Sequence, residues 1–353
     1  MKIAQVAPLA ESVPPRGYGG TERVVSYLTE TLVEMGHEVT LFASADSVTC
    51  AELVPVVPRA LRLETSHPDP LVWYTIMLDR VMRAAHAFDI IHFHTAVVQL
   101  ALMRLCRTPC VTTAHGRLDL PDLKPLFRSF PDHPLVSISD SQRAPLPWAS
   151  WRATVYHGLP LDLYAPHPQP QDYFAFLGRI SPEKRADRAI EIAKACGAPI
   201  RIAAKVDAAD TAYFESVIHP LLSDPLVSFI GEIDDQAKND FLGNARALLM
   251  PVDWPEPFGL VMIEAMACGT PVVAYANGSV PEIIDNGITG FAVGNQQQAI
   301  AAALAIDRID RRRCRQMFEQ RFDARVMASR YVEVYQELAD SSSAALTSPI
   351  TSG

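Results

Sequence analysis

The sequence predicts an α/β protein of two domains, each built on a doubly wound parallel sheet. Three observations carry this. The chain has 353 residues, 49% of them apolar and 20% charged, which is enough for two ordinary cores. Short apolar runs alternate with amphipathic stretches of helical period along both halves, the pattern of a parallel sheet covered on both faces. The segment Ala165–Gln171 holds three prolines in seven residues and divides the halves, which predicts an extended linker with few contacts. The expected segments are domains 1–166 and 167–322, a helix over 323–339, and a disordered tail over 340–353 that is rich in Ser and Thr.

In the first half, Lys2–Ala7 reads as a strand. Gly20–Met35 reads as a helix, with Val24, Val25, Leu28 and Leu32 on one face. Glu38–Ala43 is the next strand. Leu71–Ala87 has helical character, with Trp73, Met77, Val81 and Met82 as inner residues. Asp89–Phe93, Pro109–Ala114, Leu135–Ser139 and Thr154–Tyr156 complete the strands, and the stretches 44–57 and 117–133 read as loops. In the second half the strands are Tyr173–Leu177, Pro199–Ala204, Val227–Ile230, Ala247–Pro251 and Pro271–Tyr275. The helices are Arg185–Cys196, Ala208–Leu222 for the most part, Gln236–Asn244, Phe258–Cys268, a short one from Pro281, Gln296–Asp307 and Asp323–Leu338. In such sheets ligands bind beyond the carboxyl ends of the strands, and two such ends facing each other would form a cleft.

Composition excludes several classes. The net charge is −9, with 14 Lys and Arg against 16 Asp and Glu in residues 1–166, and 17 against 24 in residues 167–353. Nucleic acid is a poor partner for that balance. No apolar run has membrane-spanning length, so peripheral membrane contact is the most the sequence allows. The six cysteines form no Cys-x-x-Cys and are expected to be reduced thiols in a cytoplasmic protein.

Chemistry concentrates in Pro255–Ala265. Glu256 and Glu264 flank an apolar run whose helix is expected to begin at Pro257, a residue that loses no hydrogen bond at a first helical position. The amides of residues 258–261 would then face a ligand, and a helix start attracts phosphate. A carboxylate ahead of such a site needs a different partner, and sugar hydroxyls suit it. A lone Glu on such a helix can equally sit at its edge, facing water or a cation. Arg16–Glu22, with Gly17, Gly19 and Gly20, follows the first strand and opens a helix, so backbone could approach an anion closely. It can equally be an ordinary capped loop, and the G-x-G-x-x-G and G-x-x-x-x-G-K-[ST] patterns are absent. Gly178–Lys184 occupies the matching place in the second half. Arg179 and Lys184 could grip a diphosphate, or Lys184 could pair with Glu183 or Asp187. His115 closes a first-half strand beside Gly116, as a ligand contact or a structural residue. His92 and His94 share a strand face but lack a third ligand at metal spacing, which disfavours a metal. Arg311, Arg312, Arg313 and Arg315 read as a solvated helix face.

These residues carry a family likeness. Glu256-Pro-Phe-Gly-Leu-Val-Met-Ile-Glu264, followed by Ala265 to Val273, resembles the retaining glycosyltransferases of the two-Rossmann (GT-B) type in family 4. Tyr18 to Glu22, Gly36 to Thr40, Gly178-Arg179 with Glu183-Lys184, Phe229 to Gly231 and Pro281-Glu282 support it, and the likeness spans nearly the whole chain. The opening residues are similar to a bacterial subgroup that glucosylates small acceptors such as pteridines and antibiotics. The resemblance implies an acceptor-binding first domain, a nucleotide-sugar-binding second domain, and a final helix crossing back to the first. It implies that Arg179 and Lys184 hold a diphosphate, helped by the backbone at Phe258, Gly259, Leu260 and Val261 and by Gly19 and Gly20. Glu256 would contact the sugar, Glu264 the ribose, Gly231 to Ile233 the base, and His115 the sugar from the first domain. The expected catalytic set is Glu256, His115, Arg179 and Lys184, with no metal or other cofactor.

The implied reaction moves a hexosyl group, glucosyl by resemblance, from a nucleotide diphosphate sugar such as UDP-glucose to an acceptor hydroxyl with retention. Preorganised groups aimed at the departing phosphate would supply the rate, unlike the two flanking carboxylates of glycoside hydrolases. The alternatives are a nucleotide-sugar epimerase on the same fold and a non-catalytic sugar-nucleotide-binding protein. His157-Gly158 and Asn277-Gly278-Ser279-Val280 depart from the pattern of many relatives. The acceptor, a small molecule where the subgroup resemblance holds, has no readable code.

Overall fold

A computed structural model of the chain describes residues 1–17, 19–64 and 68–347. The chain divides into two compact units. Unit 1 comprises Met1–Ile138, Arg143–Gly158 and the segment from Ala324 onward; unit 2 comprises Ser139–Gln142 and Leu159–Asp323.

Unit 1 carries seven parallel strands: β1 (Lys2–Val6), β2 (Glu38–Ala43), β3 (Glu52–Pro55), β4 (Ile90–Phe93), β5 (Cys110–Thr113), β6 (Leu135–Ser137) and β7 (Trp151–Thr154). Their spatial order is β3-β2-β1-β4-β5-β6-β7, so the winding reverses between β1 and β4. β4 and β5 are buried along their whole length, as strands covered on both faces must be. Helix Gly20–Glu34 buries Val24, Val25, Leu28 and Leu32, the face its period predicts. Helix Pro70–Ala84 buries Met77, Leu78 and Val81, with Trp73 and Met82 partly covered.

Unit 2 carries six parallel strands: β8 (Phe174–Arg179), β9 (Ile200–Lys205), β10 (Val227–Gly231), β11 (Ala247–Met250), β12 (Val272–Tyr275) and β13 (Gly290–Val293). The order is β10-β9-β8-β11-β12-β13, with the reversal between β8 and β11. Its core gathers Phe174, Phe176, Ile190, Ile200, Leu249 and Val273.

The structure corrects several expectations. β3 lies inside 44–57 and helix Leu123–Ser129 inside 117–133, so neither stretch is loop throughout. The last strand of unit 1 is Trp151–Thr154, three residues before the expected start, and β13 is an additional strand. The region 208–222 is helical as expected, though as contiguous 3-10, α and π turns rather than one regular helix, with Pro220 in the first turn of the last segment. The Pro-rich segment 165–171 is not a loose linker. The Ala165 amide donates to Asn239, the His167 amide to the Cys268 carbonyl (2.9 Å) and the Gln171 amide to the Asn244 carbonyl (2.7 Å), so it runs along unit 2.

Arg311 and Arg315 are not a solvated face either. They lie on helix Arg311–Arg321. Arg311 donates to the carbonyls of His167, Ala245 and Gly243 and to Thr270 Oγ1, at 2.6–2.9 Å. Arg315 donates to the carbonyls of Tyr164, Ala267 and Leu161. Two guanidinium forks thus satisfy carbonyls at the ends of helices Asp235–Gly243 and Leu260–Ala267, where such groups lack intrahelical partners.

The last helix spans Ala324–Thr347, so 340–347 is helical rather than disordered. The remainder of the expected tail, 348–353, lies outside the described residues. This helix belongs to unit 1. It brings Tyr331 and Tyr335, both fully buried, against β4 and β5.

Candidate active site

In unit 2 the predicted residues converge at the carboxyl ends of β8 and β11, the place where the sheet's winding reverses. β8 ends at Arg179, and the loop to Arg185 follows. Arg185 has φ 57, a left-handed conformation costly for a non-glycine residue. It is held by bonds to Asp187 and Asp253. The Asp253 amide donates to the Glu183 carbonyl (2.8 Å), which ties this loop to the one after β11.

Glu256 lies in that second loop and is 7% exposed. Its Oε2 accepts from Lys184 Nζ at 2.5 Å and from Trp254 Nε1 at 2.8 Å, and the Lys184 ammonium lies 5.0 Å from the centre of the Trp254 ring. Lys184 therefore pairs with neither Glu183 nor Asp187. Those carboxylates serve Arg179 and Arg185 instead. Arg179 contacts Glu183, Asp207 (3.8 Å) and Asp210 (3.5 Å), so three carboxylates surround this cation.

The helix after Glu256 starts later than expected, spanning Leu260–Ala267 with Gly259 as its N-cap. Gly259 has φ +80, so the chain cannot be helical from Pro257. The amides with no carbonyl one turn back are accordingly those from Leu260 on, although Met262 N–H turns back to the Gly259 carbonyl (3.0 Å). Phe258 is 2% exposed and packs edge-on to Phe322. The sequence departure at Asn277–Ser279 braces this loop. A Cβ on Gly278 would lie 2.3 Å from the Glu256 backbone, Ser279 N–H donates to the Glu256 carbonyl (2.9 Å), and Ser279 Oγ donates to the Phe258 carbonyl (2.8 Å).

Glu264 is 4% exposed, and its Oε1 accepts from Lys238 Nζ at 3.1 Å. Lys238 sits on helix Asp235–Gly243, which follows Gly231 and Ile233. Gly231 ends β10 with φ 77, and Ile233 is half-buried. Sequence reasoning missed Lys238 and Trp254. Lys238 lies one helical turn past Asp234-Asp235, and nothing local marks it as the partner of a residue 26 positions away.

Unit 1 holds the other predicted residues. Gly19 precedes helix Gly20–Glu34, and a Cβ there would lie 2.8 Å from Pro15 Cβ, so this close turn requires glycine. Tyr18 of the same motif lies outside the described residues. His115 follows β5. Its Nε2 is 2.8 Å from His94 Nδ1, and its ring stacks on His157 at 5.3 Å. Burial lowers His115 to about 3. His92, His94 and His157 are likewise pushed well below the usual range, first by burial and then by their histidine neighbours. All four rings are therefore neutral at neutral pH. His92 bonds to Tyr335 and Thr113. Among the described residues, no group of three or more His, Cys, Asp or Glu side chains is arranged to hold a metal ion. No helix there is long and apolar enough to cross a membrane. A cavity of about 820 Å³ in unit 1 is lined by Lys2, His37, Glu38, Arg80 and Arg83 at the amino ends of its strands. It is remote from the chemistry, which sits at the carboxyl ends.

Two architectures of parallel sheet with polar loops at their carboxyl ends define a class, and the comparisons give it a family. The profile for "Glycosyl transferases group 1" matches residues 165–321, and that for "Glycosyltransferase Family 4" matches residues 18–159. Between them the two profiles span most of the chain; its fold is that of the GT-B glycosyltransferases of the group 1 and family 4 type, and it is an enzyme that transfers a sugar. It is 25% identical to the phosphatidyl-myo-inositol mannosyltransferase of Mycobacterium leprae, over 97% of this chain and 98% of that one. AviGT4, a glycosyltransferase involved in avilamycin A biosynthesis, superposes with a TM-score of 0.74 at 26% identity, covering 96% of this chain and 98% of that one. Anabaena Alr3699/HepE in complex with UDP-glucose shares the fold, with a TM-score of 0.73 and 19% identity over 96% of this chain and all of that one.

Proposed function

We propose that the protein is a retaining hexosyltransferase that moves a glucosyl group from UDP-glucose to a hydroxyl of a small-molecule acceptor, without a metal. The observation that carries this reading is the Lys184–Glu256–Trp254 constellation at the reversal point of the unit 2 sheet, directly ahead of a helix start. Lys184 and Arg179 are the cations for the diphosphate, aided by the backbone from Gly259 to Val261. Phosphate oxygens would replace the carboxylates that surround Arg179. Glu256, fixed by two donors, accepts hydrogen bonds from sugar hydroxyls. Glu264 accepts from the ribose, Gly231 and Ile233 lie against the base, and His115, Gly19 and Gly20 act from unit 1. The C1–O bond to the β-phosphate breaks, and the acceptor oxygen bonds to C1 on the same face. The acceptor's proton leaves with the diphosphate, so the products are UDP and the glycoside. HepE supports the choice of donor, since the same fold holds UDP-glucose there. The motif match with retaining family 4 enzymes supports retention.

The test is release of UDP from UDP-glucose in the presence of EDTA and an acceptor library, with proton NMR of the product's anomeric centre. Turnover with an α-linked product is expected, and Glu256→Ala should abolish it. A β-linked product, a strict metal requirement, or no binding of any nucleotide sugar would overturn the reading.

A further inference from the structure

Two neighbouring strands of unit 2 bring opposite charges to one point. β8 and β9 pair in register, with Arg179 opposite Lys205 at their carboxyl ends. The chain leaving β9 turns at once, and the Asp210 amide donates to the Asp207 carbonyl (2.9 Å). This turn sets both carboxylates against Arg179. Asp210 Oδ2 lies 3.5 Å from its Nε, and Asp207 Oδ2 lies 3.8 Å from its Nη1. Asp207 also reaches Lys205 Nζ through Oδ1, at 3.1 Å. Glu183 holds the guanidinium from the loop after β8. Two cations thus stand among three carboxylates, so negative charge is in excess here. One bidentate carboxylate is enough to neutralise a guanidinium and satisfy one edge of its fork. The excess lies beside the cation that the transfer reading gives to the diphosphate, and every group in it belongs to unit 2.

Such an excess acts unequally on the two nucleotides of the proposed reaction. The diphosphate of a nucleotide sugar carries two negative charges. A free nucleoside diphosphate carries three just above neutral pH, because its terminal phosphate loses a second proton near pH 6. Phosphate oxygens can take the donors of Arg179, but Asp207 and Asp210 stay tethered beside them by the same short turn. Their side chains are 34% and 16% exposed, so solvent screens them only in part.

We propose that Asp207 and Asp210 are specificity-determining residues that set the site against its own product. Their charge weakens the free nucleoside diphosphate more than the nucleotide sugar, and so favours release of the leaving group after transfer. The inference rests on the transfer reading and deepens it.

The test is calorimetric titration of UDP and of UDP-glucose into wild-type protein, Asp207→Asn, Asp210→Asn and the double variant. Asparagine keeps the shape and an accepting oxygen for Arg179 while removing the charge. Each single variant should tighten UDP about three- to fivefold more than UDP-glucose, the effect of one unit charge at roughly 7 Å in a partly screened setting. The double variant should show a gap of about tenfold, shrinking as salt is raised from about 50 to about 300 mM. Asp207→Glu keeps the charge and should keep the wild-type ratio of the two affinities. Equal changes for both ligands, or weaker binding of both, would mean that the carboxylates only orient Arg179, and would overturn the proposal. If wild-type protein binds neither ligand, the transfer reading itself fails. Wild-type binding of both, with the ratio unchanged in the variants, sinks the proposal alone.

Discussion

Lowering the pH from 7.0 to 5.5 should destabilise unit 1 steeply. His92, His94, His115 and His157 are neutral in the folded protein, and burial is the leading cause for each. Unfolded, each titrates near its ordinary value of 6.5. The unfolded chain therefore binds more protons than the native one as soon as pH falls through that value, and stability falls with it. The folded pKa is the depressed one, so stability is fully present above about 6.5 and is lost towards about 3, where His115 itself would protonate. For one such histidine the loss is negligible at pH 7.0 and on the order of 1 kcal/mol at pH 5.5. Four together lose a few kcal/mol over that interval, a large share of a typical total of about 5–15 kcal/mol. His133, lowered to about 4 by burial, adds in the same direction. Urea unfolding at pH 7.0, 6.2 and 5.5 measures this through tryptophan fluorescence. Trp73, Trp148 and Trp151 report on unit 1, and Trp254→Phe removes the tryptophan of unit 2. His92→Gln should reduce the fall by about a quarter, because it removes one of four sites. A change below about 1 kcal/mol between pH 7.0 and 5.5 would refute the reasoning, since carboxylates titrate mostly lower.

Other expectations concern unit 2. Arg311→Ala strands three carbonyls that the guanidinium now serves, at a cost of about 3–5 kcal/mol. For a unit of this size that lowers the midpoint of its thermal transition by roughly 6–20 °C, measurable by calorimetry. Arg311→Lys should recover little, because one ammonium cannot reach all of the oxygens. Glu264→Gln replaces one accepting oxygen with a donor and should weaken UDP binding about tenfold in a calorimetric titration. Unchanged affinity would remove Glu264 from the nucleotide site.

The fold was legible because its signals are local and periodic. Helix Gly20–Glu34 shows its buried face as Val24, Val25, Leu28 and Leu32, and β2 spans the residues expected of it. The strand β3 escaped because ELVP is half-exposed at a sheet edge and contains a proline, which weakens the usual pattern. The start of the Glu264 helix was misplaced because Pro257 imitates a first helical residue, while the stop lies in the positive φ of Gly259, which composition does not reveal. At the site, Arg179, Lys184, Glu256 and Glu264 were visible as motif residues, but their pairing was not. Lys184 meets Glu256 across 72 positions and His92 meets Tyr335 across 243, distances over which no periodicity carries information. Arg311 and Arg315 looked like a solvated run because charge alone does not tell which arginines cap helix ends.

The return of the final helix to unit 1 bears on how the chain is made. Tyr335 supplies the hydroxyl that Gln5 and His92 bond to inside the first sheet. During synthesis that hydroxyl emerges only after the whole of unit 2 has been translated. Until then Gln5, His92 and Thr113 lack the hydroxyls of Tyr331 and Tyr335 that they bond to in the finished unit. Unit 2, whose residues form one uninterrupted run apart from Ser139–Gln142, has no such wait. The last-made helix is thus the closing stitch of the first-made half, and a ribosome that stops near residue 323 releases one unit able to close and one left unsealed.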